Sequence, residues 1–152
     1  MRTPSTQDPQ QTELKQRLQQ VIGEADDAQV AALATALADT GFEVVRAPEP
    51  GLMMMQVQDG FGTRFYLGEV LVTRAEVRRP SRNGYGCCMV ENGEAALALA
   101  CLDALDDTAD AAVLDRIAPL VADLEAVVAR RRERRTMLAA TTRVDFRSMA
   151  EE

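Results

Sequence analysis

Apolar positions recur with a helical period at both ends of the 152-residue chain and with an extended, alternating period in its middle. Leu14, Leu18, Val21 and Ile22 share one helical face, Asp8-Pro9 suits an N-cap and first turn, and Gly23 reads as a stop. A second helix is predicted with Asp26 or Asp27 as its cap, a stripe of Val30, Leu33, Ala34 and Leu37, and Gly41 at its C-terminal end. Together the two form an expected N-terminal helical hairpin.

After Gly41 the period changes to two. Residues 42–46 read as a strand, Pro50-Gly51 as the centre of a type II turn, and residues 52–58 as the return strand. Asp59-Gly60-Phe61-Gly62 is a second turn signal, leading into a long extended segment over residues 64–79 whose Gly68 marks a bulge or a close approach. Asn83-Gly84 reads as the next turn, before a strand over residues 85–90. Four strands in a mainly antiparallel meander are therefore expected. Asn92 then caps a helix carrying Leu97, Ala100, Cys101, Ala104 and Leu105. Leu114, Ile117, Val121, Leu124 and Val128 continue at helical spacing, with Pro119 predicting a kink or a division into two pieces. Elements segregated in this way give an α+β fold, its C-terminal helices packed on the sheet.

Composition narrows the class. Apolar residues are 47% and charged residues 27%, the balance of a globular domain, and 152 residues suffice for one core. A single domain over residues 1–152 is expected, with residues 1–7 as a flexible polar tail. Those first residues lack the apolar core of an export signal, and no stretch reaches the roughly 20 apolar residues of a bilayer span, so a cytoplasmic location is expected. The net charge of −7 and an aromatic content of 4% count against broad nucleic-acid binding.

Candidate chemistry is sparse. Histidine is absent, which removes the commonest general base and every serine–histidine or cysteine–histidine pair. Cys87, Cys88 and Cys101 lack zinc-type spacing and read as buried free thiols, with metal binding or catalysis as the alternative. Gly84-Tyr85-Gly86 reads as part of a turn and strand start rather than a phosphate loop. The arginine-rich residues 130–135 read as a solvated or subunit-facing helix end, favoured there by the helix dipole, with an anion-binding patch as the alternative. On the extended segment Glu69 and Thr73 should occupy one face, and Arg74 and Glu76 the other. Charges on both faces call for solvent or for complementary groups on a partner.

Four motifs in order carry a resemblance: Arg46-Ala47-Pro48-Glu49-Pro50-Gly51, the run from Gly68-Glu69 through Thr73-Arg74 to Val77, Gly84-Tyr85-Gly86, and Thr142-Arg143-Val144-Asp145-Phe146. Between residues 41 and 149 the chain resembles the PhnG family, a subunit of the bacterial carbon–phosphorus lyase system. The resemblance implies a core complex with PhnH, PhnI and PhnJ, joined by PhnL. That complex installs methylphosphonate at the ribose C1′ of ATP and displaces adenine, yielding α-D-ribose 1-methylphosphonate 5-triphosphate. ATP with Mg would be the substrate of the complex, with no cofactor held by this chain alone. Nucleosidase-type chemistry is implied for PhnI and radical cleavage for PhnJ, so no catalytic residue carries over. Arg46, Glu49, Glu69, Thr73, Arg74, Arg143 and Asp145 are the candidates for partner or ligand contact. The rival expectation is a stand-alone anion- or nucleotide-binding accessory module.

Overall fold

The computed structural model describes residues 9–89 and 91–142. Helix α1 (Pro9–Val21) ends in a 3-10 turn (Ile22–Glu24), and two residues, Ala25 and Asp26, join it to α2 (Asp27–Leu37). The expected cap Asp8, the tail over residues 1–7, and Arg143 and Asp145 lie outside the described residues. Asp26 caps α2: its side chain accepts the Gln29 N–H at 3.0 Å while Gln29 Oε1 accepts the Asp26 N–H at 3.0 Å, so two otherwise unpaired amides satisfy one another's residues. Gly41 follows α2 and its 3-10 extension with φ of 65°, the left-handed conformation that a glycine reaches without steric cost.

The sheet has three strands, not the four expected from the pattern. Strand β1 (Glu43–Gln58), β2 (Arg64–Arg78) and β3 (Asn83–Cys88) are antiparallel in the order β1-β2-β3. No turn forms at Pro50-Gly51. The chain runs straight through Pro48 and Pro50 because β1 is an edge strand, where a missing amide donor can face away from the ladder. Register slips between Val44 and Arg46, and between Arg46 and Glu49, accommodate the proline segment as bulges. A further slip opposite Met55 and Gln56 falls beside Gly68, whose φ of 137° suits glycine, so of the bulge and the close approach that this glycine could mark it is the bulge that forms. The turn at residues 59–63 forms as expected, with Asp59 Oδ1 accepting the amides of Phe61 and Thr63 at 2.9 and 2.8 Å.

Asn83-Gly84 does not make the next turn. That reversal lies at residues 79–82, closed by the Arg79 N–H donating to the Arg82 carbonyl, and Asn83 already opens β3. Gly84 and Gly86 instead admit helix α3 (Gly93–Asp103). A Cβ on Gly84 would stand 2.0 Å from the Ala100 oxygen, and one on Gly86 1.9 Å from the Ala96 oxygen. Asn92 caps α3 as predicted, its Oδ1 accepting the Ala95 N–H at 3.0 Å.

Small residues on both sides let α3 lie against β2 and β3, with Ala75, Val77 and Cys88 on the facing strands. Ala95, Ala96, Leu99 and Leu102 are all buried, so α3 sits between the sheet and an outer layer of α1, α2 and α4 (Ala111–Thr141). Among the described residues the two N-terminal helices pack on α3 and α4 rather than chiefly on each other, and it is α3, not α4, that covers the sheet. Helix α4 also runs unbroken through Pro119. Pro119 and Asp115 are both exposed, so the carbonyl deprived of its partner can turn to water.

Candidate functional site

Helix α3 covers one face of the sheet, and among the described residues no other helix packs broadly across the opposite face, which is open around Arg46, Arg74 and Tyr85. Alternation sends Arg74 and Glu76 of β2 to this open face, opposite Glu49 and Arg46 of β1 and Cys87 and Tyr85 of β3. Gly84 and Gly86 press against α3, which turns Tyr85 outward. The β3 edge is closed by a side chain: Asp103, at the end of α3, accepts the Tyr85 N–H at 2.8 Å and the Lys15 ammonium at 2.7 Å. This pairing draws α1 alongside the sheet. The resulting cleft, about 430 Å³, is lined by Lys15, Arg46, Arg74, Glu76, Tyr85 and Cys87 among others.

Three of the predicted contact residues meet here. Glu49 Oε1 accepts from Arg46 Nη1 at 2.8 Å and from Arg74 Nη2 at 3.1 Å, although Arg46 and Glu49 lie in one motif and Arg74 in another. The Arg46 hydrogen bond and charge, reinforced by Arg74, hold the Glu49 carboxyl below its ordinary range, and Glu49 in turn raises the Arg46 guanidinium. All three side chains are about half exposed. The triad is therefore a solvated surface network that a docking group could join or displace.

The other predicted residues go elsewhere. Thr73 is 3% exposed on the helix-facing side, between Pro50 and Cys88 in the ladder. Glu69 is exposed farther out on the ribbon opposite Met54, five residues and about 17 Å along the strand from Arg74, on the face opposite to it. Lys15, Tyr85 and Cys87 were not among the predicted contacts. The sequence signal for Tyr85 was available in its flanking glycines, since two close backbone approaches two residues apart force the residue between them outward. Nothing in the sequence alone pointed to Lys15, because its place depends on Asp103, which is 88 residues away in the chain.

Three of the five arginines in residues 130–135, though exposed, pair with groups of the same molecule. Arg132 Nε donates to Glu24 Oε1 at 2.8 Å, Arg135 reaches the other Glu24 oxygen, and Arg131 donates to the Glu24 carbonyl at 2.7 Å. Arg132, first, and then Arg135 hold the Glu24 carboxyl below its ordinary range. Helix α4 continues to Thr141, a full turn and more beyond Arg135, so the helix dipole does not account for the run. It serves to fasten the second half of α4 to the end of α1.

Bond-making chemistry has little to work with on these surfaces. Cys87, Cys88 and Cys101 are free thiols, and burial pushes Cys101 up to about 12, far from a reactive thiolate. Among the described residues no group of three or more histidine, cysteine, aspartate or glutamate side chains is placed to hold a metal ion. Nor is any helix there long and apolar enough to cross a membrane. The sheet face away from α3 carries a charged half with paired ions and, farther along the same strands, a more apolar half.

The family model described as phosphonate metabolism protein PhnG matches residues 13–151. That span takes in both halves of the open face and nearly all of the chain, and so the chain belongs to the PhnG family of carbon–phosphorus lyase subunits.

Proposed function

We propose that this chain is a shape-giving subunit of the phosphonate-activating core complex, acting in the cytoplasm with subunits of the PhnH, PhnI, PhnJ and PhnL types. The assembled complex would convert ATP and methylphosphonate to α-D-ribose 1-methylphosphonate 5-triphosphate with release of adenine, taking ATP with Mg as substrate. Family membership over residues 13–151 carries the proposal. The lack of histidine and the internal pairing of Arg131, Arg132 and Arg135 support a role in assembly over one in catalysis or free anion capture.

The test is co-purification of the tagged chain from its native host under phosphate starvation, with the bound proteins identified. Recovery of the other phosphonate subunits is expected, and their absence would refute the assignment. The purified chain alone should neither hydrolyse ATP nor transfer its ribosyl group to methylphosphonate, and addition of the partners should restore turnover. Sustained turnover by this chain alone, or tight nucleotide binding to it by calorimetry, would favour the stand-alone module instead.

Arg74 and Glu69 give a sharper check. Both side chains are exposed, so Arg74→Ala and Glu69→Ala should melt like the parent as isolated chains. Each should nevertheless weaken assembly or the activity of the complex, through different contacts, because they occupy opposite faces. Full activity in reconstituted complexes of both variants would make these residues ordinary solvated strand positions.

A further inference from the structure

Two arginines from different strands share a single carboxylate on the sheet. Arg46 Nη1 and Arg74 Nη2 each donate one hydrogen bond to Glu49 Oε1, at 2.8 and 3.1 Å. A guanidinium carries five N–H donors. Among the described residues, neither arginine donates to any other protein group. Lys15 reaches the same cleft from α1, its ammonium held by Asp103 at 2.7 Å. All three cations line the cleft, whereas Glu49 and Asp103, the carboxylates that hold them, are not among its lining residues. Among the described residues the one carboxylate in the wall is Glu76, across from Arg46 in the ladder. The cleft wall therefore carries cationic donors in excess of acceptors, in a chain whose net charge is −7.

We propose that this cleft receives an acidic side chain, Asp or Glu, of a different subunit of the enzyme complex, its carboxylate accepting the N–H groups that Arg46 and Arg74 leave free. This rests on the subunit assignment above and deepens it by naming the chemistry of the partner. A planar guanidinium fork matches a carboxylate through two parallel N–H···O bonds.

Exposure separates a subunit from a free anion. The Arg46 and Arg74 side chains are 52% and 53% exposed and Tyr85 is 55% exposed. A small anion bound among them would remain in water, where ion pairs contribute little. A subunit that closes over the cleft removes that water and strengthens each pair beneath it. Tyr85, turned outward between Gly84 and Gly86, adds a ring and a hydroxyl beside the arginines, and tyrosine and arginine are the residues that protein interfaces concentrate. A second copy fits less well, because a two-fold axis through the cleft would set each cation against its own counterpart.

The experiment uses the full chain co-expressed with the other subunits of the complex, and compares the parent with the double variant Arg46→Gln, Arg74→Gln. A second double variant, Arg130→Gln, Arg134→Gln, changes the net charge equally on the exposed second half of α4 and serves as control. Glutamine stays polar at positions that are half exposed, so the isolated cleft variant should melt like the parent. Recovery of the complex should fall about tenfold or more for the cleft variant and stay at the parent level for the control. Added salt should weaken assembly of the parent more steeply than that of the cleft variant, since the contact is one of charge. Alkylation of Cys87, the half-buried thiol of the cleft, should slow on assembly.

Parent-level recovery of the cleft variant, an equal fall in the control, an unchanged salt dependence, or a Cys87 that reacts as fast in the complex as in the isolated chain overturns the cleft proposal alone. Failure of the parent itself to assemble overturns the subunit assignment with it. Self-association of the isolated parent, or calorimetric binding of inorganic phosphate to it, either one lost in the cleft variant, would name another occupant and also overturn the proposal.

Discussion

Gly86→Ala should lower the stability of the isolated chain by about 3 kcal/mol, the upper end of what overpacking costs, which is a fall in melting temperature of roughly 6–12 °C at this length. The added methyl would stand 1.9 Å from the Ala96 oxygen and 2.6 Å from the Ala100 nitrogen. Both are helix backbone, so no side chain can swing aside. Relief requires α3 to lift from β3, and α3 is the element that joins the sheet to every other helix of the outer layer but α4. Gly60→Ala serves as control, since a Cβ there meets nothing within 4 Å and φ is not positive. A Gly86→Ala chain that melts within about 2 °C of the parent would show that the helix does not approach the strand this closely.

Asp110→Ala should be nearly as damaging, costing about 3 kcal/mol at neutral pH. Asp110 Oδ1 accepts from Arg79 Nη2 at 2.9 Å, its other oxygen meets Arg79 Nη1 and accepts the Asp106 N–H at 2.8 Å, and its side chain is 8% exposed. Truncation leaves the Arg79 guanidinium poorly hydrated and without its carboxylate. It also releases the turn at residues 79–82, where Arg82 caps the Leu105 carbonyl at 3.1 Å, from the loop between α3 and α4. The effect has a pH signature. Arg79 above all, and then the Asp106 amide, hold the Asp110 carboxyl below its ordinary value. Its contribution is therefore complete above the unfolded value of about 3.9 and disappears as pH falls through the lower folded value. Denaturant melts across pH should show the gap between parent and Asp110→Ala widest near neutrality and narrowing below about pH 4. A gap that stays constant down to pH 2 would mean that the pair does not stabilise the fold through charge.

These two sites were hidden from sequence reasoning for different reasons. Gly84 and Gly86 were visible as glycines, but Asn83-Gly84 is also a good hairpin turn, and only the placement of α3 distinguishes a turn from a close approach. Arg79 and Asp110 are 31 residues apart in separate loops, and no local pattern joins them. The missing turn at Pro50-Gly51 follows the same logic. A proline next to a glycine favours reversal locally, yet on an edge strand the proline meets no ladder bond that it must break. Pairing with β2 along the whole of β1 then outweighs the local preference.

Of the candidate contacts, Arg46, Glu49 and Arg74 were legible as members of short motifs, and alternation already separated Glu69 and Thr73 from Arg74. Their convergence on one carboxylate was not legible, because it needs the antiparallel register that puts Glu49 across from Arg74.

The sequence by itself determined the succession from helices to strands to helices, the cap at Asn92, a cap for α2 at Asp26 or Asp27, an irregularity at Gly68, the turn after Gln58, and the motifs that mark the family. Each of these depends on residues within a few positions of one another, where backbone sterics and short hydrogen bonds act without outside help. Only the tertiary structure decided the number of strands, the side of the sheet that α3 covers, the pairing of the arginine run with Glu24, and the cleft that Lys15, Arg46 and Arg74 line together. Those outcomes depend on which distant segment competes for the same backbone or charge, and that competition is resolved only when the chain is packed.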